Sequence, residues 1–135
     1  MFGSLDISTS ALVAQRTRLN VIASNLANQH TVFDAEGNYS PYRRKFAVFA
    51  AGDPANGNDA GVHVRDIMED DAPFRKIQVG VGNPLADKDG FMEVPNIDPM
   101  TEMVNALEAT RAYEANITAA EATKSMMNSA LRLLA

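Results

Sequence analysis

The sequence predicts an α+β chain. Long N- and C-terminal helices pair as an antiparallel, coiled-coil-like unit, with a small loop-rich β region between them. Three observations carry this expectation. Leu5, Leu12, Leu19 and Leu26 recur every seven residues, the spacing of a helix that faces another helix. A longer heptad pattern runs from Met103 to Leu134 without a glycine or a proline. Between the two, turn-forming clusters break all periodicity. The chain therefore divides into paired helices at 1–30 and 97–135 and an outer β-rich region at 31–96.

In the first helix Ile22 follows Leu19 by three residues and joins the apolar stripe. Ser4, Asp6 and Ser8 are candidate N-caps, each carrying an oxygen for an orphan backbone N–H. Asn28 is the expected C-cap, a residue type that tolerates the left-handed conformation. The remaining faces carry Gln15, Arg16, Arg18, Asn20, Ser24 and Asn25. Asn25 and Asn28 have two readings, as local capping groups or as hydrogen-bonding groups across subunits.

From about Thr31 to Asn96 the clusters "DAEGN", "SPY", "GDPANGNDAG" and "ADKDG" mark turns. Strand character appears at 44–50, 61–68 and 74–81, where Val62, Val64 and, with a slip, Ile67 alternate as in a half-buried strand. A small antiparallel region follows, too short to enclose a core by itself.

The second helix is announced by "PNIDPM". Asp98 can cap it, and Pro99 suits the first helical position, where a missing N–H costs nothing. Met103, Thr110, Ile117, Lys124 and Leu131 form one heptad line, and Ala106, Tyr113, Ala120, Met127 and Leu134 form the other. Ala112, Ala119, Met126 and Leu133 run beside them, so the helix offers two adjacent packing faces. About 37 residues at a rise of roughly 1.5 Å make a rod of about 55 Å. A compact chain of this length has a diameter under about 40 Å. The helix overhangs any globule the chain could form, and a neighbour must cover the excess.

Composition excludes several functions. The net charge of −5, with Arg43-Arg44-Lys45 as the longest basic run, disfavours nucleic acid. That run reads as a solvated strand start. The absence of cysteine removes disulfides, thiolate zinc sites and thiol nucleophiles. The first twelve residues lack the pattern of a secretory signal, and no apolar run approaches a bilayer-spanning length, so no membrane insertion is expected.

Sites for chemistry fail on spacing. Aligning Gly90 with the glycine of a calcium loop puts Leu85 and Asn96 where acidic ligands belong, so "ADKDGF" reads as a structural turn. Gly80-Val81-Gly82 lacks the third glycine and the following helix of a dinucleotide loop. His30 and His63 stand alone. No enzyme, metal or cofactor is expected. Seven methionines, gathered toward the C-terminus, have two readings, core filling by an adaptable side chain or packing of one helix face against several non-identical neighbours.

Two segments carry a family resemblance. "LVAQRTRLNVIASNLANQHT" at 12–31 resembles the N-terminal motif of flagellar axial proteins, a helix ending in a Ser/Asn-Asn-Leu/Ile-Ala-Asn signature. "VPNIDPMTEMVNALEATRAYEANITAAEATKSMMNSALRL" at 94–133 resembles the matching C-terminal motif. Within that family, "PYRRKFAVF" at 41–49 and "PLADKDGFMEVPNID" at 84–98 are similar to the proximal rod subtype. The chain departs from the subtype pattern at "VGVGNP", residues 79–84, and at Gly90-Phe91-Met92.

The resemblance implies a structural subunit of the basal-body proximal rod, assembling through its terminal helices into a helical tube that transmits torque. Its partners would be other copies of itself and other flagellar rod proteins. The type III export apparatus would carry it to a periplasmic position in the rod. The assembly interface is expected to comprise Leu5, Leu12, Leu19, Ile22, Asn25, Leu26, Asn28, Met103, Ala106, Leu107, Tyr113, Ile117, Ala120, Met127, Leu131 and Leu134. The alternative is a soluble export chaperone or adaptor whose paired amphipathic helices bind a partner helix.

Overall fold

Two helices bracket two small sheets in the computed structural model, which describes residues 2–53 and 57–134. The order is α1 (Phe2–Ala27), β1 (Lys45–Asp53), β2 (Asn58–Glu69), β3 (Arg75–Gln78), β4 (Phe91–Val94) and α2 (Pro99–Leu134). The α+β expectation holds.

α1 starts earlier than its candidate caps, so Ser4, Asp6 and Ser8 lie inside the helix. No proline separates Phe2 from Ser8, and extending a helix costs less than nucleating it at a later cap. At the other end Asn28 does not adopt the left-handed conformation, because no non-glycine residue described has positive φ. Its side-chain Nδ2 donates to the Ser24 carbonyl (2.9 Å), and Thr31 Oγ1 donates to its Oδ1 (3.1 Å). α2 starts as expected. Asp98 accepts from Met100 N (3.3 Å), Thr101 N (3.2 Å) and Thr101 Oγ1 (2.6 Å).

The helices run antiparallel, with Asn25 beside Glu102 and Arg18 beside Glu108. Among the named elements, α2 packs on α1 alone, so its buried residues mark the facing side. Ala106, Tyr113, Ala120 and Met127 are on it, as one heptad line anticipates. The other line differs by one residue. Glu102, Ala109, Asn116 and Thr123 face α1, while Met103, Thr110, Ile117, Lys124 and Leu131 are exposed. Small side chains let the two backbones approach. The polar members bond to their own helix, Asn116 Nδ2 to Ala112 O (2.8 Å) and Thr123 Oγ1 to Ala119 O (2.9 Å). On α1 the deepest positions are likewise small or polar, Ser8, Ala14 and Asn25, with Val21 and Ile22. Leu5, Leu12, Leu19 and Leu26 are half-buried on the flank.

β1 and β2 form an antiparallel ribbon laid lengthwise on α1. Its two ends are pinned. Lys45 bonds Asn25, and Val62 N donates to Ser10 Oγ (3.1 Å). Gly61 makes the close approach possible, since a Cβ there would lie 2.6 Å from Ser10 Oγ and its φ is +99°. The slip between Val64 and Ile67 is a bulge: Val48 pairs with Asp66 and Phe49 with Val64, leaving Arg65 extra. The expected turn at 52–61 falls partly on 54–56, outside the described residues.

β3 is shorter than the stretch expected at 74–81, and its partner β4 has no counterpart in the sequence reading. Four residues with one buried side chain leave too little periodicity to register. The turn before β4 is built by Asp87, whose Oδ1 accepts from Asp89 N (3.0 Å) and Phe91 N (2.9 Å). That is the structural turn predicted for "ADKDGF".

Candidate assembly interface

The signature "SNLAN" at 24–28 occupies the point where α1 ends, α2 begins and β1 starts. Asn25, fully buried, uses its whole hydrogen-bonding capacity there. Its Nδ2 donates to Lys45 O (2.7 Å) and to Glu102 Oε2 (3.1 Å). Its Oδ1 accepts from Lys45 N (2.9 Å) and Tyr42 Oη (3.3 Å). The amide thus pairs with both backbone groups of one strand residue, as a neighbouring strand would. Tyr42 Oη also lies 3.2 Å from Ser24 Oγ.

Glu102 is 1% exposed and carries a carboxylate that needs a cation nearby. Arg44 supplies it, donating Nε to Glu102 Oε1 at 2.7 Å while its Nη1 lies 3.5 Å from Asp70. Arg43 lies over the Phe74 ring (4.3 Å) and donates to Asp70 O and Ala72 O. Lys45 lies over Tyr42 at 5.7 Å. The basic run expected to be solvated is therefore half-buried and binds the β region to the helices. A lone glutamate one residue off the heptad line was the available signal, because a carboxylate facing a partner helix needs a guanidinium.

Glu108 reaches across to Arg18 on α1 (3.0 Å). His63 Nδ1 lies 2.8 Å from Gly52 O, within the ribbon. Hydrogen bonding from the Thr101 hydroxyl, with the Thr101 and Met100 N–H groups, holds the Asp98 carboxyl below its ordinary range. Asp34 is lowered chiefly by the Asn38 N–H at its turn. Among the described residues no group of three His, Cys, Asp or Glu side chains is placed to hold a metal. No helix among them is long and apolar enough to cross a membrane.

The residues expected at an assembly interface fall into two sets. Ile22 and Asn25 are buried, and Leu5, Leu12, Leu19, Leu26, Asn28, Ala106, Tyr113 and Met127 are half-buried with Ala120 in the helix pair and its junction. Met103, Leu107, Ile117, Leu131 and Leu134 are exposed. At the start of α2, Met100, Met103, Val104 and Leu107 are 69%, 57%, 59% and 54% exposed and share the side turned away from α1. At its far end Met126, Leu131, Leu133 and Leu134 are exposed as well.

Comparison with known proteins agrees with this layout. Residues 5–32 match the family model described as "Flagella basal body rod protein", and residues 88–133 match "Flagellar basal body rod FlgEFG protein C-terminal". The flagellar basal-body rod protein FlgC of Escherichia coli O6:H1 is 45% identical over 95% of this chain and 93% of its own length. The Bacillus subtilis FlgC is 40% identical over 98% and 97%. The Aquifex aeolicus FlgC is 42% identical over 92% and 90%. With both terminal helices matched and the similarity running through the β region between them, the chain belongs to the FlgC-type basal-body rod proteins of the bacterial flagellum.

Proposed function

We propose that this structural subunit of the flagellar rod enters the shaft through the outward faces of its helical pair, stacking with copies of itself and with other rod proteins into a helical tube. The observation that carries this reading is the apolar stripe of Met100, Met103, Val104 and Leu107 on α2. Four large side chains contiguous on one helix face form a patch of the kind that marks an interaction site. The residues 31–96 lie outside the tube, and the ribbon β1–β2 braces α1 against it. The subunit reaches the rod through the flagellar type III export apparatus and serves there as a passive element in torque transmission, with no catalytic step. The junction supports that reading, since the polar atoms of Asn25 and Glu102 are committed to holding elements together.

Substituting both Met103→Glu and Leu107→Glu tests the proposal. The side chains are exposed in the single subunit, so its stability should change by less than about 0.5 kcal/mol for each. Rod completion and swimming should be lost, because burying two carboxylates at a subunit contact is costly. Full-length rods and normal motility in the double variant would sink the assignment of this stripe.

A further inference from the structure

The far end of α2 is bare for a geometric reason. Extending the register set by Asn25 with Glu102 and Arg18 with Glu108 puts Phe2 level with about residue 125, so the last two turns of α2 extend past α1. Those turns expose Met126, Leu131, Leu133 and Leu134. The longer stretch from Ala122 to Leu134 carries Lys124 and Arg132 and no acidic side chain. On the ribbon side of α1, level with about residues 109–120 of α2, an open groove of about 640 Å³ lies between α1 and β2. Val13, Ala14, Val62 and Val64 give it an apolar floor, and Asp6 lines it with no lysine or arginine. Val13 is 62% exposed.

We infer that the overhanging end of α2 seats in the groove between α1 and β2 of a second copy of this chain, joining copies head to tail. This deepens the proposed rod function and rests on it. The two surfaces are complementary in shape class, a helix end with apolar side chains and an apolar-floored groove. They are complementary in charge, a cationic segment against a groove whose charged side chain is Asp6. A chain cannot satisfy itself this way. Val13 lies level with about residue 114, so its own Leu133 is roughly 28 Å further along the axis. The groove and the tail are different surfaces of one chain, so the contact is heterologous and propagates instead of closing. Two parallel copies engaged in this way are offset by roughly 20 Å along the helix axis.

The absence of cysteine makes the test clean. The host's own gene is replaced by one carrying Val13→Cys and Met126→Cys, or Thr9→Cys and Leu133→Cys. Basal bodies are then isolated and treated with a short bis-maleimide. The inference expects dimers and higher multiples of this chain with at least one pair. It also expects dimers in cells co-expressing the two single variants, and none in cells expressing either single variant alone. Variants present in basal bodies but monomeric with both pairs would overturn the docking and leave the rod function standing. A cross-link from position 13 to a different rod protein would overturn it too. Absence of the tagged, unsubstituted chain from basal bodies would overturn both the inference and the rod reading beneath it.

Discussion

Asn25 shows how much one side chain can fix. Its amide joins α1 to the first residue of β1 through both backbone groups of Lys45, and to α2 through Glu102. No other residue type of that size supplies two donors and two acceptors in one plane. Aspartate would keep the acceptors and set a second carboxylate beside Glu102, leaving Lys45 O unpaired. Alanine would strip Lys45 N–H, Lys45 C=O and Glu102 Oε2 of a partner at once. A buried group left unsatisfied costs about 1–3 kcal/mol, so Asn25→Ala should lower stability by at least about 2 kcal/mol. Asn28→Ala, which removes a partly solvated cap, should cost about 0.5–1 kcal/mol. Urea midpoints of the two isolated variants give the comparison. Equal losses would mean that the signature works only as a helix stop.

The ribbon β1–β2 depends on a different kind of fit, closeness to α1. Gly61 has a φ of +99° and its absent Cβ would meet Ser10 Oγ at 2.6 Å. Gly61→Ala should therefore cost about 1–3 kcal/mol in backbone strain and displacement. Amides of β1 and β2 should then exchange roughly 5- to 150-fold faster, with those of α2 little changed. Exchange unchanged in the ribbon would show that it does not rest on α1 at this point. The elements themselves were legible where period or turn chemistry was strong: both helices, the Asp98 cap, the slip in β2 and the Asp87 turn. Legibility failed where long-range pairing decided. β4 is too short to show a pattern. The α2 face is turned by one residue because Ala109, Asn116 and Thr123 admit a close approach that large apolar side chains would block. Arg43 and Arg44 read as solvent-facing because their partners, Asp70, Phe74 and Glu102, come together only in the folded chain. Of the candidate interface, the heptad residues were visible as helix faces. Which of them serve the fold and which are left for neighbours depends on a rotation the sequence does not encode locally.

At the scale of the whole molecule the apolar surface is distributed the wrong way for a self-sufficient domain. Among the described residues the buried apolar side chains are Ala14, Val21, Ile22, Val94, Pro95, Ile97 and Ala109, while twenty large apolar ones are exposed. α2, with 36 residues, is a rod of about 54 Å supported along its side by the 26 residues of α1. Helical segments without tertiary contacts are marginal in water, so the end of α2 gains its order from whatever covers it. Binding that favours the folded form adds stability by mass action. The thermal midpoint of the isolated chain should accordingly rise with its concentration. In the dilute chain, amides 126–134 should exchange nearly as fast as a frayed helix end, while those of 102–123 are slower. In isolated basal bodies both stretches should be protected, each tenfold corresponding to about 1.4 kcal/mol of added local stability. A midpoint independent of concentration, with 126–134 already protected in the dilute chain, would mean that α2 is complete without neighbours. The overhang would then be a spacer rather than a contact.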